Sequence, residues 1–356
     1  MDISSKKIFK TLNPNKIWIP VLIGVAIVFY LFYSDPDLTA ADLKLIFKAS
    51  PLPVLLAILV ILARDVGYVY RIKKITNHQL SWTSSIYVII LWEFASALTP
   101  SVVGGTSVVV LVLMKEGISF GKSLAYVMLT AILDNLFFVF ASPIVLLFTQ
   151  EELFPNSKNL QAELGNSLPV LFIISYVLIT LYTFVMFYAL FIRPRGFKWI
   201  LLKISSIGFL RRWRRAANQQ GDEIILASQE LKGMKISYWV NICMATVFIW
   251  VARYTILNCL IEAFTNLSVM NHLLVFARHL MMWVVMLISP TPGSSGSAEF
   301  FFPQFFSEFL NSYTFVTNIS WRLLTYYFYL LLGAIFLPRW IKRVFFKAKS
   351  TKAVET

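Results

Sequence analysis

The sequence contains little charge, little cysteine and little histidine. Only 14% of its 356 residues are Asp, Glu, Lys or Arg, whereas a soluble domain averages about 25%. Two cysteines in one apolar segment exclude a disulfide framework, and three scattered histidines give no pattern for a metal site. Residues 17–33 and 168–192 contain no charge at all. Because a membrane-spanning helix needs about 20 apolar residues, we expect an all-α, polytopic integral membrane protein with no metal or cofactor.

The net charge of +14 follows the distribution expected of a membrane protein, so we expect no nucleic-acid partner. Residues 1–16 carry four lysines, and residues 193–235 carry ten basic residues against three acidic ones. Residues 35–42 contain three aspartates, and residues 150–167 contain three glutamates and one lysine. The positive-inside rule therefore predicts cytoplasmic termini in a multi-pass protein of a bacterial-type inner (cytoplasmic) membrane. The first apolar run is interpreted as a retained signal anchor.

Charge parity predicts two segments that enter and leave the membrane on the same side. Residues 82–114 are flanked by cytoplasmic segments, and residues 270–310 are flanked by outer ones. Each contains the pattern T-P-x-x-x-G, at Thr99, Pro100 and Gly104 and at Thr291, Pro292 and Gly296. We predict about six full transmembrane helices and two oppositely oriented re-entrant helical hairpins, which form an inverted pseudo-repeat. The alternative is a pair of Pro/Gly kinks in ordinary spanning helices.

The chain is predicted to form one transmembrane domain, residues 1–356, with a basic cytoplasmic amphipathic loop at residues 193–237. Within that loop, Lys198 to Arg215 mixes apolar residues with arginines. This mixture favours a helix lying on the inner leaflet and binding anionic lipids, and the alternative is a plain positive loop. The segment Glu116 to Ser123 resembles a phosphate-binding loop but lacks its first glycine.

Eight charged residues lie within apolar segments, where each costs about 2.5–3.5 kcal/mol at the helix centre if uncompensated. They are Arg64, Asp65, Glu93, Asp134, Arg253, Arg278, Glu299 and Arg322. Arg64 and Asp65 are interpreted as a structural pair, and Arg278 as a side chain that reaches the membrane surface. Glu93, Asp134, Glu299 and Arg322 either line a cavity or form structural pairs.

A broken helix exposes backbone N–H groups, which suit an anion such as phosphate. We expect the second arms of the hairpins to begin near Ser107 and Ser297, with their N-termini near the membrane midplane. Arg322 is the leading candidate to hold the phosphate, and a structural role beside Glu299 is the alternative. The candidate substrate-binding residues are Glu93, Pro100, Gly104, Gly105, Asp134, Pro292, Gly293, Gly296, Glu299 and Arg322.

Three segments carry a resemblance to a known family. They are "LTPSVVGGTSVVVLVLMKEGISFGKSLAYVMLTAILDNLF", "SPTPGSSGSAE" and "WRLLTYYFYLLLGAIF". Together they resemble the flippase-like family, which is the transmembrane domain of lysylphosphatidylglycerol synthase. In that synthase the domain moves an aminoacylated phospholipid between leaflets, and a soluble domain makes the lipid. Many members have an acidic residue and an arginine where this chain has Thr106 and Asn135.

The resemblance implies a stand-alone lipid translocator that is not itself an enzyme. Its expected partners are a membrane phospholipid or another lipid phosphate, and a separate lipid-synthesising enzyme. Two alternatives stay open. One is a membrane-embedded enzyme of lipid modification, of the phosphatidylglycerol lysyltransferase type, and the other is a secondary transporter of a small anion.

Overall fold

The computed structural model describes residues 44–99, 101–149, 167–207, 211, 214–286, 291 and 293–346. Within those ranges the regular structure is entirely helical. Its α-helices are α1 (Pro51–Ile75), α2 (Trp82–Leu98), α3 (Ser101–Lys115), α4 (Phe120–Thr149), α5 (Ser167–Phe187), α6 (Pro194–Ile204), α7 (Arg214–Lys232), α8 (Ile236–Glu262), α9 (Val269–Met286), α10 (Ser297–Leu310), α11 (Thr314–Arg322) and α12 (Phe328–Ile341). The predicted span at residues 17–33, Pro100 and Pro292 lie outside the described residues.

Six helical segments of the described residues are long and apolar enough to cross a membrane. They are Pro51–Ile75, Phe120–Thr149, Pro169–Ile192, Ile236–Glu262, Val269–Met286 and Ser297–Val344. The all-α, polytopic class is therefore confirmed. Helix α9 is one of these six, although the sequence assigned it to a hairpin arm. Helices α2 and α3 are shorter, and the re-entry of either hairpin stays a prediction.

The first helix break lies between α2 and α3. Thr99 ends α2 in an extended conformation, as expected for a residue that precedes proline. Helix α3 begins at Ser101, so the prediction of a start near Ser107 is wrong. Gly105 lies inside α3, where an added Cβ would overlap Ser96 of α2. The glycine therefore permits close packing of the two helices and does not mark a helix start.

The second break follows α9. Gly293 and Gly296 have φ angles of 56° and 90°, in the left-handed region that glycine adopts readily. Helix α10 begins at Ser297, as predicted. Glu299, in its first turn, accepts a hydrogen bond from the backbone N–H of Gly296 at 2.7 Å, which satisfies a donor that a helix start leaves free.

The basic loop contains two helices, and the stretch from Lys198 to Arg215 covers most of α6 and the start of α7. Lys198 of α6 pairs with Asp222 of α7 at 2.6 Å. Helix α7 in turn contacts the start of α4, where Glu223 accepts from the backbone N–H of Gly121 at 3.0 Å. Trp199 on α6 is exposed. The aliphatic part of Lys198 also lies against Gly221 of α7, and Ile200 and Ile204 of α6 are exposed together with Trp199.

The buried apolar residues form two clusters. One contains residues of α1 to α4 and α12, including Phe94 and Trp340. The other contains residues of α8 to α10, including Tyr254 and Phe306. The cavity described below is lined by members of both clusters, so it lies at the boundary between them.

Candidate functional site

The two helix breaks meet at one cavity of about 270 Å³. Residues of both breaks line it: Ser96, Thr99 and Thr106 from the first, and Thr291, Gly293 and Ser294 from the second. Tyr326 joins the breaks, because its hydroxyl accepts from Ser295 Oγ at 3.1 Å and donates to the carbonyl of Ala97 at 3.3 Å. Both breaks thus contribute residues to one cavity.

Glu93 and Arg253 form an ion pair in the cavity wall. Arg253 Nη2 donates to Glu93 Oε1 at 2.9 Å, and each side chain is 18% exposed. The guanidinium lies 5.3 Å from the ring centroid of Trp250 and 5.4 Å from that of Trp283. Arg253 Nε is buried without a hydrogen-bond partner among the described residues. Arg253 therefore retains an unused donor, which a ligand can reach only if the side chains around it move.

Asp134 has several donors. Arg71 binds both carboxylate oxygens, at 2.5 and 3.2 Å, and also donates to Thr246 at 3.0 Å. Trp250 Nε1 donates to Asp134 Oδ1 at 2.8 Å. These hydrogen bonds come from α1 and α8. Asp134 therefore links both helices to α4.

Arg322 lines the cavity and holds the second break. Its Nε donates to Glu299 Oε1 at 2.8 Å, and its Nη2 donates to Ser295 Oγ at 3.2 Å. The carbonyl of Gly293 accepts from both terminal nitrogens at 3.4 and 3.5 Å. The guanidinium lies 4.0 Å from the ring centroid of Tyr326. Glu299 is 1% exposed, so the geometry supports the structural alternative for Arg322.

Arg64 and Asp65 form the pair that the sequence predicts, at 2.8 Å. Tyr329 completes it by donating to Asp65 Oδ2 at 2.6 Å and by accepting from Arg64. Arg64 also lines the cavity, which its interpretation as a structural pair did not include. Arg278 does not line the cavity; it pairs with Glu308 at 2.8 Å.

Three further polar groups of the cavity wall have no hydrogen-bond partner among the described residues. They are the hydroxyl of Tyr254, Nδ1 of His279 and Nε1 of Trp283. Tyr254 and His279 are in contact, with ring centroids 4.9 Å apart. An unsatisfied buried polar group costs about 1–3 kcal/mol, so this wall has hydrogen-bonding capacity that the protein leaves unused.

The structure places the ten predicted site residues in three ways. Glu93, Asp134, Gly293 and Arg322 line the cavity. Gly105 lies within α3, and Gly296 and Glu299 lie at the start of α10; these three residues do not line the cavity. Gly104 also lies within α3. Pro100 and Pro292 lie outside the described residues. Thr106 and Asn135, at which the chain departs from the family's pattern, both line the cavity.

Sequence reasoning missed much of one wall. Arg253 is one of the eight charges in apolar segments but not one of the predicted site residues, and Arg71 is not among those eight charges. Helical spacing could have found part of this wall, because Trp250, Arg253 and Tyr254 stand three and four positions apart on α8 and so share a face. In the part of the chain that the structure describes, no three His, Cys, Asp or Glu residues are grouped to hold a metal ion.

Comparison with known proteins assigns the chain to a family. The family model described as the lysylphosphatidylglycerol synthase TM region matches residues 17–333. The chain is also similar to a UPF0104 membrane protein of Archaeoglobus fulgidus. The two are 26% identical over 336 residues, which cover 89% of this chain and 94% of the relative. The match spans the helices that build the cavity. The chain therefore belongs to the lysylphosphatidylglycerol synthase transmembrane-region family of multi-pass membrane proteins.

Proposed function

We propose that the protein binds the phosphate-containing headgroup of a membrane lipid in this cavity and moves the lipid between leaflets. The observation that carries the proposal is the cavity itself, which both helix breaks enclose and which four arginines line: Arg64, Arg71, Arg253 and Arg322. Guanidinium groups bind phosphate through planar, paired N–H donors. A matched pair of broken helices in two halves of a chain is typical of midplane substrate sites in transporters.

The size of the cavity is compatible with a lipid headgroup. Pockets for drug-sized ligands measure roughly 300–1,000 Å³, and at about 270 Å³ this cavity holds a headgroup but no acyl chains. Tyr182 of α5 lines the cavity and is 44% exposed. We expect acyl chains to leave the cavity beside Tyr182 and to stay in the bilayer while the headgroup is bound.

Arg253 is the arginine best placed to bind the phosphate. It has one hydrogen bond to Glu93 and one unused buried donor, whereas the donors of Arg322 hold Glu299 and the second break. Trp283 also has an unused donor beside Arg253. We therefore assign the phosphate to Arg253 and the positioning of the second break to Arg322.

The remaining parts of the proposal concern membrane placement and partners. We place the protein in a bacterial-type inner membrane with both termini in the cytoplasm. In this placement the helix pair α2–α3 re-enters from the cytoplasmic side, and the helix pair α9–α10 re-enters from the outer side. Exposed Trp199 and the basic residues of Lys198 to Arg215 would then contact anionic inner-leaflet lipids. We propose that the chain is a translocator without catalytic activity and that a separate enzyme supplies its lipid.

The test is leaflet transfer by the purified protein in liposomes. A fluorescent phospholipid is placed in the inner leaflet, and its arrival outside is followed with an impermeant quencher. We expect transfer by the wild-type protein and its loss in Arg253→Gln. Lys122→Gln is the matched control, because Lys122 pairs with exposed Glu230 outside the cavity.

The same preparation distinguishes the alternatives. Chemical conversion of the lipid without transfer would identify an enzyme of lipid modification. Uptake of inorganic phosphate without lipid transfer would identify a transporter of small anions. Either result would overturn the proposed function.

A further inference from the structure

Among the described residues, each arginine that lines the cavity is balanced by a carboxylate in the wall or next to it. Four arginines lie in or at its wall, and each is paired with a carboxylate: Arg64 with Asp65, Arg71 with Asp134, Arg253 with Glu93 and Arg322 with Glu299. The set is therefore neutral in formal charge. A ligand with a net charge would leave that charge uncompensated in a space of low dielectric constant, which is strongly unfavourable. A headgroup with no net charge avoids this penalty.

One of the four pairs differs from the others in how its carboxylate is held. Beyond its arginine, each of the other three carboxylates has a second donor, namely Tyr329 for Asp65, Trp250 for Asp134 and the backbone N–H of Gly296 for Glu299. Glu93 has Arg253 alone among the described residues, through a single hydrogen bond of 2.9 Å. The Glu93–Arg253 pair is therefore the one that a ligand can separate at the least loss of hydrogen bonds.

The surroundings of this pair suit both signs of charge. Arg253 has an unused Nε donor, and Trp283 has an unused Nε1 donor. Both are buried, and separation of the Glu93–Arg253 pair is the movement that would expose them to phosphate oxygens. The guanidinium already lies against the rings of Trp250 and Trp283 and 6.0 Å from the ring centroid of Tyr68. Aromatic faces stabilise a cation within about 6 Å. An ammonium group that approaches Glu93 therefore meets aromatic rings that already stabilise the guanidinium cation of Arg253.

We propose that the cavity is selective for a zwitterionic headgroup that carries one phosphate and one ammonium group. The phosphate replaces Glu93 as the partner of Arg253, and the ammonium replaces Arg253 as the partner of Glu93. One ion pair is exchanged for two, and the charge of the site does not change. This inference rests on the proposed function, which requires only that the phosphate of a lipid enter the cavity.

The experiment compares short-chain phospholipids that differ only in the headgroup, with binding to the detergent-solubilised wild-type protein measured by calorimetry. The probes carry ethanolamine (neutral overall), N-acetylethanolamine (an amide in place of the ammonium, net negative), glycerol (net negative) and a lysyl ester of glycerol (two ammonium groups, net positive). We expect the ethanolamine lipid to bind at least about tenfold more tightly than the other three, which corresponds to about 1.4 kcal/mol.

Variants then locate the selectivity. Glu93→Gln is expected to remove the preference for ethanolamine over N-acetylethanolamine, and Arg253→Gln to weaken the binding of all four lipids. Glu308→Gln is the control, because Glu308 pairs with Arg278 away from the cavity, and it is expected to leave the preference unchanged. The comparison of probes on the wild-type protein stands even if a variant does not fold.

The failure of this inference differs from the failure of the proposed function. Equal binding of the ethanolamine and N-acetylethanolamine lipids would overturn zwitterion selectivity and leave lipid-phosphate binding intact. Tighter binding of the glycerol or lysyl lipid would do the same. If none of the four lipids bound, the proposed function would fail together with the inference.

Discussion

Replacement of Arg322 by glutamine tests whether this side chain holds the second helix break together. Arg322 and Glu299 are 6% and 1% exposed and are joined by a 2.8 Å hydrogen bond. In Arg322→Gln the carboxylate of Glu299 stays buried without its partner, and the bonds to Ser295 and Gly293 are also removed. Removal of one member of a buried pair lowers the free energy of unfolding by about 3–5 kcal/mol.

The double variant separates this effect from other consequences of the change. In Arg322→Gln with Glu299→Gln no charge is stranded, and the glutamine oxygen at position 299 can still accept from the backbone N–H of Gly296. We therefore expect the double variant to regain stability, with a coupling free energy of about 2 kcal/mol or more. Melting temperatures in detergent and denaturant titrations measure both quantities.

An exposed pair provides the reference for this measurement. Lys122 and Glu230 are joined at 2.7 Å, with side chains 29% and 45% exposed. Surface pairs contribute about 0–1 kcal/mol, so Lys122→Gln is expected to change the melting temperature little. An Arg322→Gln protein as stable as the wild type would refute the structural role of Arg322 and return it to consideration as a phosphate ligand.

Three further predictions concern the breaks and the topology. Gly293→Ala is expected to lower the melting temperature and lipid transfer, because its φ of 56° disfavours a side chain and the added Cβ would overlap a facing ring; an unaffected protein would contradict this packing. Cysteines at Ala97 and Ser294 are expected to crosslink with a short reagent, and failure in a folded protein would contradict the meeting of the breaks. In a protein with its native cysteines replaced, cysteines at Asn159 and Ser312 are expected to react with an impermeant reagent from outside, and reaction of either only from inside would refute the predicted topology.

The helices could be predicted from the sequence because their determinants are local. Long uncharged runs mark the spanning helices, and prolines and glycines mark the breaks. Helix α3 begins earlier than predicted because Gly104 and Gly105 indicate a break in the sequence alone, whereas Gly105 is required by the packing of α3 against Ser96 of α2. Such packing depends on a second helix, and a single sequence does not reveal which residues face each other.

The site could be predicted only in part, for the same reason. Charges in apolar segments are visible in the sequence, and burial dictates that they be paired. Which charges pair is not visible: Glu93 and Arg253 are 160 residues apart, and Arg71 and Asp134 are 63 residues apart. The prediction for Arg322 named both roles, and only the bonds to Glu299 and Ser295 distinguish between them.

A density map of the protein in a lipid nanodisc tests the central claim most directly. We expect a lipid headgroup in the cavity between the two breaks, with a phosphate oxygen within about 3 Å of a guanidinium nitrogen of Arg253. The acyl chains of this lipid are expected to leave the cavity beside Tyr182. Lipid density confined to the outer surfaces of the helices, with only water in the cavity, would contradict this claim.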